Sequence, residues 1–176
     1  PSVILEGVKP VGYHAWLDDH RVALFILGDL FEVWVGDDAA ATPGFEADCA
    51  QMLAAAARTH AVYFMHGNRD FLVAGEFARA TGVTLVEDPA IVDLYGTRTL
   101  LMHGDTLCTG DLAYQKFRAQ VRDPAWQAAA LARPLAERLA IARGMRAESE
   151  GAKQDKGMEI MDVAPDAVER AFAESG

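Results

Sequence analysis

A carboxylate at Asp29, an amide at Asn68 and an imidazole at His103 recur in one setting. Each stands in a glycine-containing string at the end of an apolar run: Gly28-Asp29, His66-Gly67-Asn68-Arg69-Asp70 and His103-Gly104-Asp105. These donors form a hard-to-borderline ligand set that suits Mn2+ or Mg2+, and Zn2+ less exclusively. The two oxygens of Asp29 allow it to bridge two ions. In open α/β sheets, ligands collect beyond the carboxyl ends of strands. Three such ends in one sheet would bring Asp29, Asn68 and His103 around a shared cation. Glycine beside each donor lets the backbone turn sharply and approach a ligand closely. Any one of these strings alone reads as a turn or a capped loop. Their ordered recurrence is what points to a metal. His14, His20 and His60 have no matching context and read as surface or packing residues, and Asp37 and Asp38 as a solvated turn after Trp34.

The elements that must position these donors are legible in part. Val22 to Leu27 is a continuous apolar run, suited to a strand buried on both faces, and Ala61 to Met65 is a second. Ile91–Leu94 and Thr99–Met102 read as strands joined in a hairpin through Tyr95-Gly96-Thr97. Helices are expected over Phe45–Arg58, about Phe71–Ala80, from Asp111 onward with Pro124 and Pro134 as breakers or first-turn residues, and over Ala164–Ala173. No firm element is assigned to residues 1–20. Strands alternating with helices indicate an α/β or mixed α/β domain.

Bulk properties narrow the function. The chain of 176 residues is 51% hydrophobic, enough for one domain with a core and too apolar for disorder. Its apolar stretches are broken before a membrane span's length, and no signal peptide is visible. Cys49 and Cys108 form no CxxC and fit a reducing compartment. Cys108 reads as a small buried apolar residue. The net charge of −10 argues against a nucleic-acid binder. Residues 111–156 nonetheless hold nine of the sixteen Lys and Arg against six acids, a basic segment expected to meet something anionic.

The longer strings Ile26-Leu27-Gly28-Asp29-Leu30-Phe31-Glu32, Trp34, Gly36-Asp37-Asp38, His66 to Leu72 and Met102 to Cys108 resemble those of the calcineurin-like metallophosphoesterases. Within that superfamily they are similar to the UDP-2,3-diacylglucosamine diphosphatases of lipid A synthesis, for which arginine after Gly-Asn, here Arg69, is typical. The resemblance runs from about Val22 to the end. It implies a single metallophosphoesterase domain over 1–176, a four-layer α-β-β-α sandwich, incomplete here, with a helical lid insertion over 111–156. It implies two Mn2+ ions, Asp29 bridging them and Asn68 and His103 on the second. The implied reaction is hydrolysis of UDP-2,3-diacylglucosamine to UMP and 2,3-diacylglucosamine 1-phosphate. Implied substrate contacts are Asn68, Arg69, Asp111, Tyr114, Arg146, Ser149, Lys153 and Lys156. The expected setting is peripheral, at the cytoplasmic face of the bacterial inner membrane, with a lipid-linked nucleotide as substrate, no nucleic acid and no obligate protein partner.

The chemistry agrees with that resemblance. A pyrophosphate diester is anionic and repels hydroxide, and two cations about 3.5–4 Å apart offset its charge and activate water at neutral pH. Arg69 suits a bidentate clamp on phosphate oxygens, and Lys153 and Lys156 add point charges. No serine or cysteine is placed as a nucleophile. Two family motifs, an N-terminal Asp-x-His and a C-terminal Gly-His-x-His, are not found; Asp18-Asp19-His20 is the nearest string. The chain therefore reads as a central fragment. Two alternatives stay open: a phosphodiesterase acting on a soluble nucleotide, or a fragment that binds lipid or metal without turnover.

Overall fold

The computed structural model describes residues 2–6, 9–10, 22–155 and 162–175. Asp18-Asp19-His20, His14 and Lys156 lie outside them. The chain divides into two compact units, Pro1–His103 and Gly104–Gly176.

Among the described residues, the first unit holds seven strands and two α-helices: β1 (Ser2–Glu6), β2 (Lys9–Pro10), β3 (Val22–Leu27), α1 (Phe45–Ala57), β4 (Ala61–Met65), α2 (Gly75–Thr81), β5 (Thr84–Val86), β6 (Ala90–Leu94) and β7 (Thr97–Leu101). One sheet has the order β1-β3-β4-β5, the other β2-β6-β7. β3, β4 and β5 run parallel, with Phe25 beside Tyr63 and Phe64 beside Leu85, while β1 is antiparallel at the edge. The hairpin of β6 and β7 forms as expected, Leu94 facing Thr97.

The period of two along β3 and β4 explains why their sequences are apolar throughout. Ala23, Phe25, Leu27, Tyr63 and Met65 pack with Val92 and Leu101 of the second sheet. Phe25 and Tyr63 stack at 4.7 Å. Ile26, Val62 and Phe64, from the opposite face, join Leu53 of α1 and Phe77 of α2. Each such buried side chain contributes about 1.5–3 kcal/mol. Phe31 and Trp34 belong to this second cluster, their rings 4.4 Å apart, so the loop after β3 is pinned into the core rather than left in solvent.

Three expectations need correction. The strand ends do not share one sheet: β3 and β4 do, but β7, which leads to His103, lies in the second. Packing of the two sheets through a common apolar cluster does what a single sheet was expected to do. The helix expected from Phe71 begins only at Gly75, because Val73 N–H closes a turn onto the Asp70 carbonyl and Leu72 and Val73 are drawn into the core. Residues 2–6 form a strand where none was assigned, paired to β3 over five positions.

The second unit is helical: α3 (Leu112–Val121), α4 (Pro124–Leu131), α5 (Leu135–Asp155) and α6 (Pro165–Ser175). Pro124 opens α4 beneath Asp123, whose carboxylate accepts from Ala125 and Trp126 N–H. Ala164 N–H donates to the Leu107 carbonyl at 2.9 Å, which ties the start of α6 to the segment before α3.

Candidate active site

The turns after β3 and β4 cross at their glycines. A Cβ at Gly28 would strike the backbone of Gly67 and Nδ1 of His103, and one at Gly67 would strike the backbone nitrogen and Oδ1 of Asp29. Only glycine permits this approach. Asp29 itself stands in the left-handed region, φ 55°, which places its carboxylate over the neighbouring loop.

The two loops then exchange hydrogen bonds. Arg69 N–H donates to Asp29 Oδ1 at 3.0 Å. In return, Asp70 Oδ2 accepts from Leu30 N–H at 2.8 Å, while its Oδ1 accepts from Gly67 N–H at 2.7 Å. Trp34 N–H adds a bond to the Arg69 carbonyl at 2.9 Å. Asp70 has no exposure to solvent. Burial pushes its carboxyl above the usual range, the N–H groups of Gly67, Asp29 and Leu30 pull it back, and the charge of Asp29 pushes it up again.

His103 arrives from the end of β7. Its Nδ1 lies 2.9 Å from the Leu27 carbonyl. A carbonyl only accepts, so Nδ1 carries the proton and Nε2 presents a lone pair. That lone pair faces Asn68 N–H at 3.3 Å and lies 3.9 Å from Asp29 Oδ1. His103 N–H is held by Asp88 Oδ1. Asp29 and His103 therefore approach one another, with the Asn68 backbone beside them. Asn68 makes this contact through its backbone N–H, and the residue is exposed. Among the described residues, no group of three or more His, Cys, Asp and Glu is gathered closely enough to hold a metal by itself.

Arg69 joins the cluster. Its guanidinium donates to Glu32 Oε1 at 2.6 Å and lies 3.5 Å from Asp29 Oδ2. His66 Nε2 donates to the Val73 carbonyl at 2.7 Å and so braces the turn rather than joining the donors. Asp37 is no solvated turn. It accepts from Trp34 Nε1–H at 3.1 Å and from Ala74 and Phe77 N–H at 3.0 and 2.8 Å, capping α2 from outside it. Asp38 is exposed.

The expected substrate contacts of the second unit lie among its own bonds. Asp111 Oδ1 caps α3 by accepting from Tyr114 N–H at 3.0 Å. The Tyr114 hydroxyl donates to Asp105 Oδ2 at 2.5 Å, and Arg118 Nε reaches the same oxygen at 2.9 Å. Arg146 and Ser149 are exposed on α5, which also carries Lys153. Asp105, just ahead of the basic segment, thus neutralises part of its charge through Arg118. Cys108 is half-buried rather than buried; burial first, then Asp105, Asp162 and Asp111, push its thiol up, which leaves it a poor nucleophile.

Sequence reasoning missed Asp70, Glu32 and the Leu27 carbonyl. The signal for Asp70 is an acid directly before the apolar string Phe71-Leu72-Val73, where a carboxylate enters the core only if backbone donors meet it.

Fold and cluster together define the class: a mixed α/β protein with a parallel sheet and a polar site where its strands end. No family model matches the chain. It is 50% identical over 187 aligned residues to a UDP-2,3-diacylglucosamine hydrolase of Xanthomonas campestris pv. campestris, with 98% of this chain and 74% of that protein covered. It is 52% identical over 155 residues to the protein of the same name in Chromobacterium violaceum, covering 88% and 65%. For that of Chromohalobacter salexigens the identity is 46% over 162 residues, covering 89% and 63%. This chain belongs to the UDP-2,3-diacylglucosamine hydrolase family. It spans 63% to 74% of the length of these three relatives.

Proposed function

We propose that this chain belongs to an enzyme that hydrolyses the pyrophosphate bond of UDP-2,3-diacylglucosamine, giving UMP and 2,3-diacylglucosamine 1-phosphate. The name shared by its relatives supports the substrate. The observation that carries the chemistry is the approach of His103 Nε2 to Asp29 Oδ1 at 3.9 Å. Two donors bonded to one cation at about 2.0–2.2 Å each stand no more than about 4.4 Å apart. The pair fits a shared ion, and the Leu27 carbonyl already fixes the tautomer that ligation needs.

Asp29, His103 and Asn68 would hold the metal, Mn2+ in this proposal and two ions in the whole protein. Bound there, divalent cations supply charge neutralisation and activated water. The chain's own residues orient the substrate. Arg69 stands beside Asp29 with a planar fork that matches phosphate oxygens. The Gly28–Gly67 crossing keeps the donors on fixed backbone, so their geometry needs no reorganisation when the anion arrives.

The four-layer sandwich belongs to the same proposal. It is supported by two sheets that share one apolar cluster and by helices α1 and α2 on the opposite face of the larger sheet. The segment 111–156 is assigned to the acyl chains and, with Arg146, Ser149, Lys153 and Lys156, to the anionic headgroup. Exposed Leu112, Phe117, Leu139 and Ile141 support contact with lipid. No helix among the described residues is long and apolar enough to cross a membrane. A peripheral position at the cytoplasmic face of the inner membrane fits such a substrate.

The test compares UMP release from UDP-2,3-diacylglucosamine and from unacylated UDP-glucosamine by the complete protein with Mn2+. Preference for the acylated substrate is the expected result. Equal rates would favour a soluble-nucleotide phosphodiesterase, and no release from either would remove the proposal.

A further inference from the structure

We infer that Asp70 is a positioning residue, whose carboxylate locks the Asp29 loop to the Asn68–Arg69 loop and so sets the donor geometry. The inference rests on the proposed cation site only for its consequence; its structural content stands on the hydrogen bonds themselves.

Asp70 touches neither Asp29's carboxylate nor His103's ring through any described hydrogen bond, and it is fully buried. A buried carboxylate is costly unless its oxygens are occupied. Here backbone alone meets them: Gly67 N–H on Oδ1, Leu30 N–H at 2.8 Å and Phe31 N–H at 3.5 Å on Oδ2, with the Asp29 N–H also directed at the carboxylate. One oxygen therefore holds the loop after β4 and the other holds the loop after β3. Leu30 follows the left-handed Asp29, so its N–H is where a clasp best holds that conformation. The reciprocal bond, Arg69 N–H to Asp29 Oδ1, closes the pair. A neutral side chain of the same shape fails here: asparagine has one acceptor oxygen and an NH2 that meets N–H donors, so either way round one loop loses its partner.

The test is amide hydrogen exchange on this chain, wild type against Asp70→Asn, with Val83→Ala as a core truncation of the same unit. The amides to watch are those of Asn68 and Arg69, which bond to His103 and Asp29 and not to Asp70. We expect both to exchange about tenfold faster or more in Asp70→Asn. The Phe64 amide of β4 should change no more than it does in Val83→Ala. Mn2+ binding should weaken in Asp70→Asn and not in Val83→Ala. Unchanged exchange at Asn68 and Arg69 would overturn the inference, as would a change matched by Phe64. If wild type takes up no Mn2+, the cation reading fails, while the exchange data still decide the clasp. Should Asp70→Asn not fold, wild type alone suffices: the clasp requires the Leu30, Gly67, Asn68 and Arg69 amides to open together, and independent opening refutes it.

Discussion

Arg69 shows how the site is balanced before any substrate binds. Its guanidinium is shared between Glu32, which is more than half exposed, and Asp29. Under the proposed function, an incoming phosphate would compete with Glu32 for the same fork. Exposed ion pairs contribute about 0.2–1 kcal/mol, so the competition is mild. Replacing Glu32 by Gln is expected to lower KM for the anionic substrate by up to about fivefold, with kcat little changed, as measured by steady-state UMP release. Gly67→Ala acts differently, because its Cβ would overlap Asp29 itself. It should destabilise the fold by about 1–3 kcal/mol and abolish activity; urea denaturation followed by fluorescence measures the first effect. Both residues were visible in the sequence as parts of strings, yet the pairing of Arg69 with Glu32 was not. Contacts across 37 positions depend on how two loops cross, and no local pattern records that.

At the scale of elements, legibility follows the range of the signal. β3 and β4 could be read because burial on both faces makes every residue apolar, a purely local mark. The hairpin could be read because a tight turn needs positive φ and Gly96 supplies it, although Tyr95 adopts it too. The start of α2 could not. Its cap is Asp37, 37 residues before Ala74, while Ala74 at the helix start has no capping side chain and Asp70, a capping residue type before Phe71, is spent on the loop after β3. Nor could a strand of three residues, β5, stand out from its surroundings. Asp37→Ala should therefore destabilise the first unit by about 1–2 kcal/mol, since α2 loses its cap and the buried Trp34 indole its acceptor. Thermal denaturation followed by circular dichroism would show it, and a melting temperature equal to wild type would reject this role.

For the whole molecule, the decisive feature is that two sheets bring Asp29, the Asn68 backbone and His103 to one place. The larger sheet brings Asp29 and Asn68 on adjacent parallel strands, and the smaller brings His103. The sequence suggested that these three would meet, but through one sheet; the route through two depends on the apolar cluster shared by Phe25, Tyr63, Val92 and Leu101. Which face meets which is a property of packing that a list of strands leaves open. Membership of the UDP-2,3-diacylglucosamine hydrolase family, by contrast, rests on identity of 50% and 52% to relatives over 98% and 88% of the chain. The most direct test of the shared-ion reading is equilibrium titration of Mn2+ into wild type, Asp29→Ala and His103→Ala. Outer-sphere changes at metal sites cost about 10–100-fold in affinity. Loss of either donor should cost at least as much, while both variants melt as cooperatively as wild type. Saturable uptake by wild type that collapses in both variants is the predicted result; no uptake by wild type, or undiminished uptake by either variant, would contradict it.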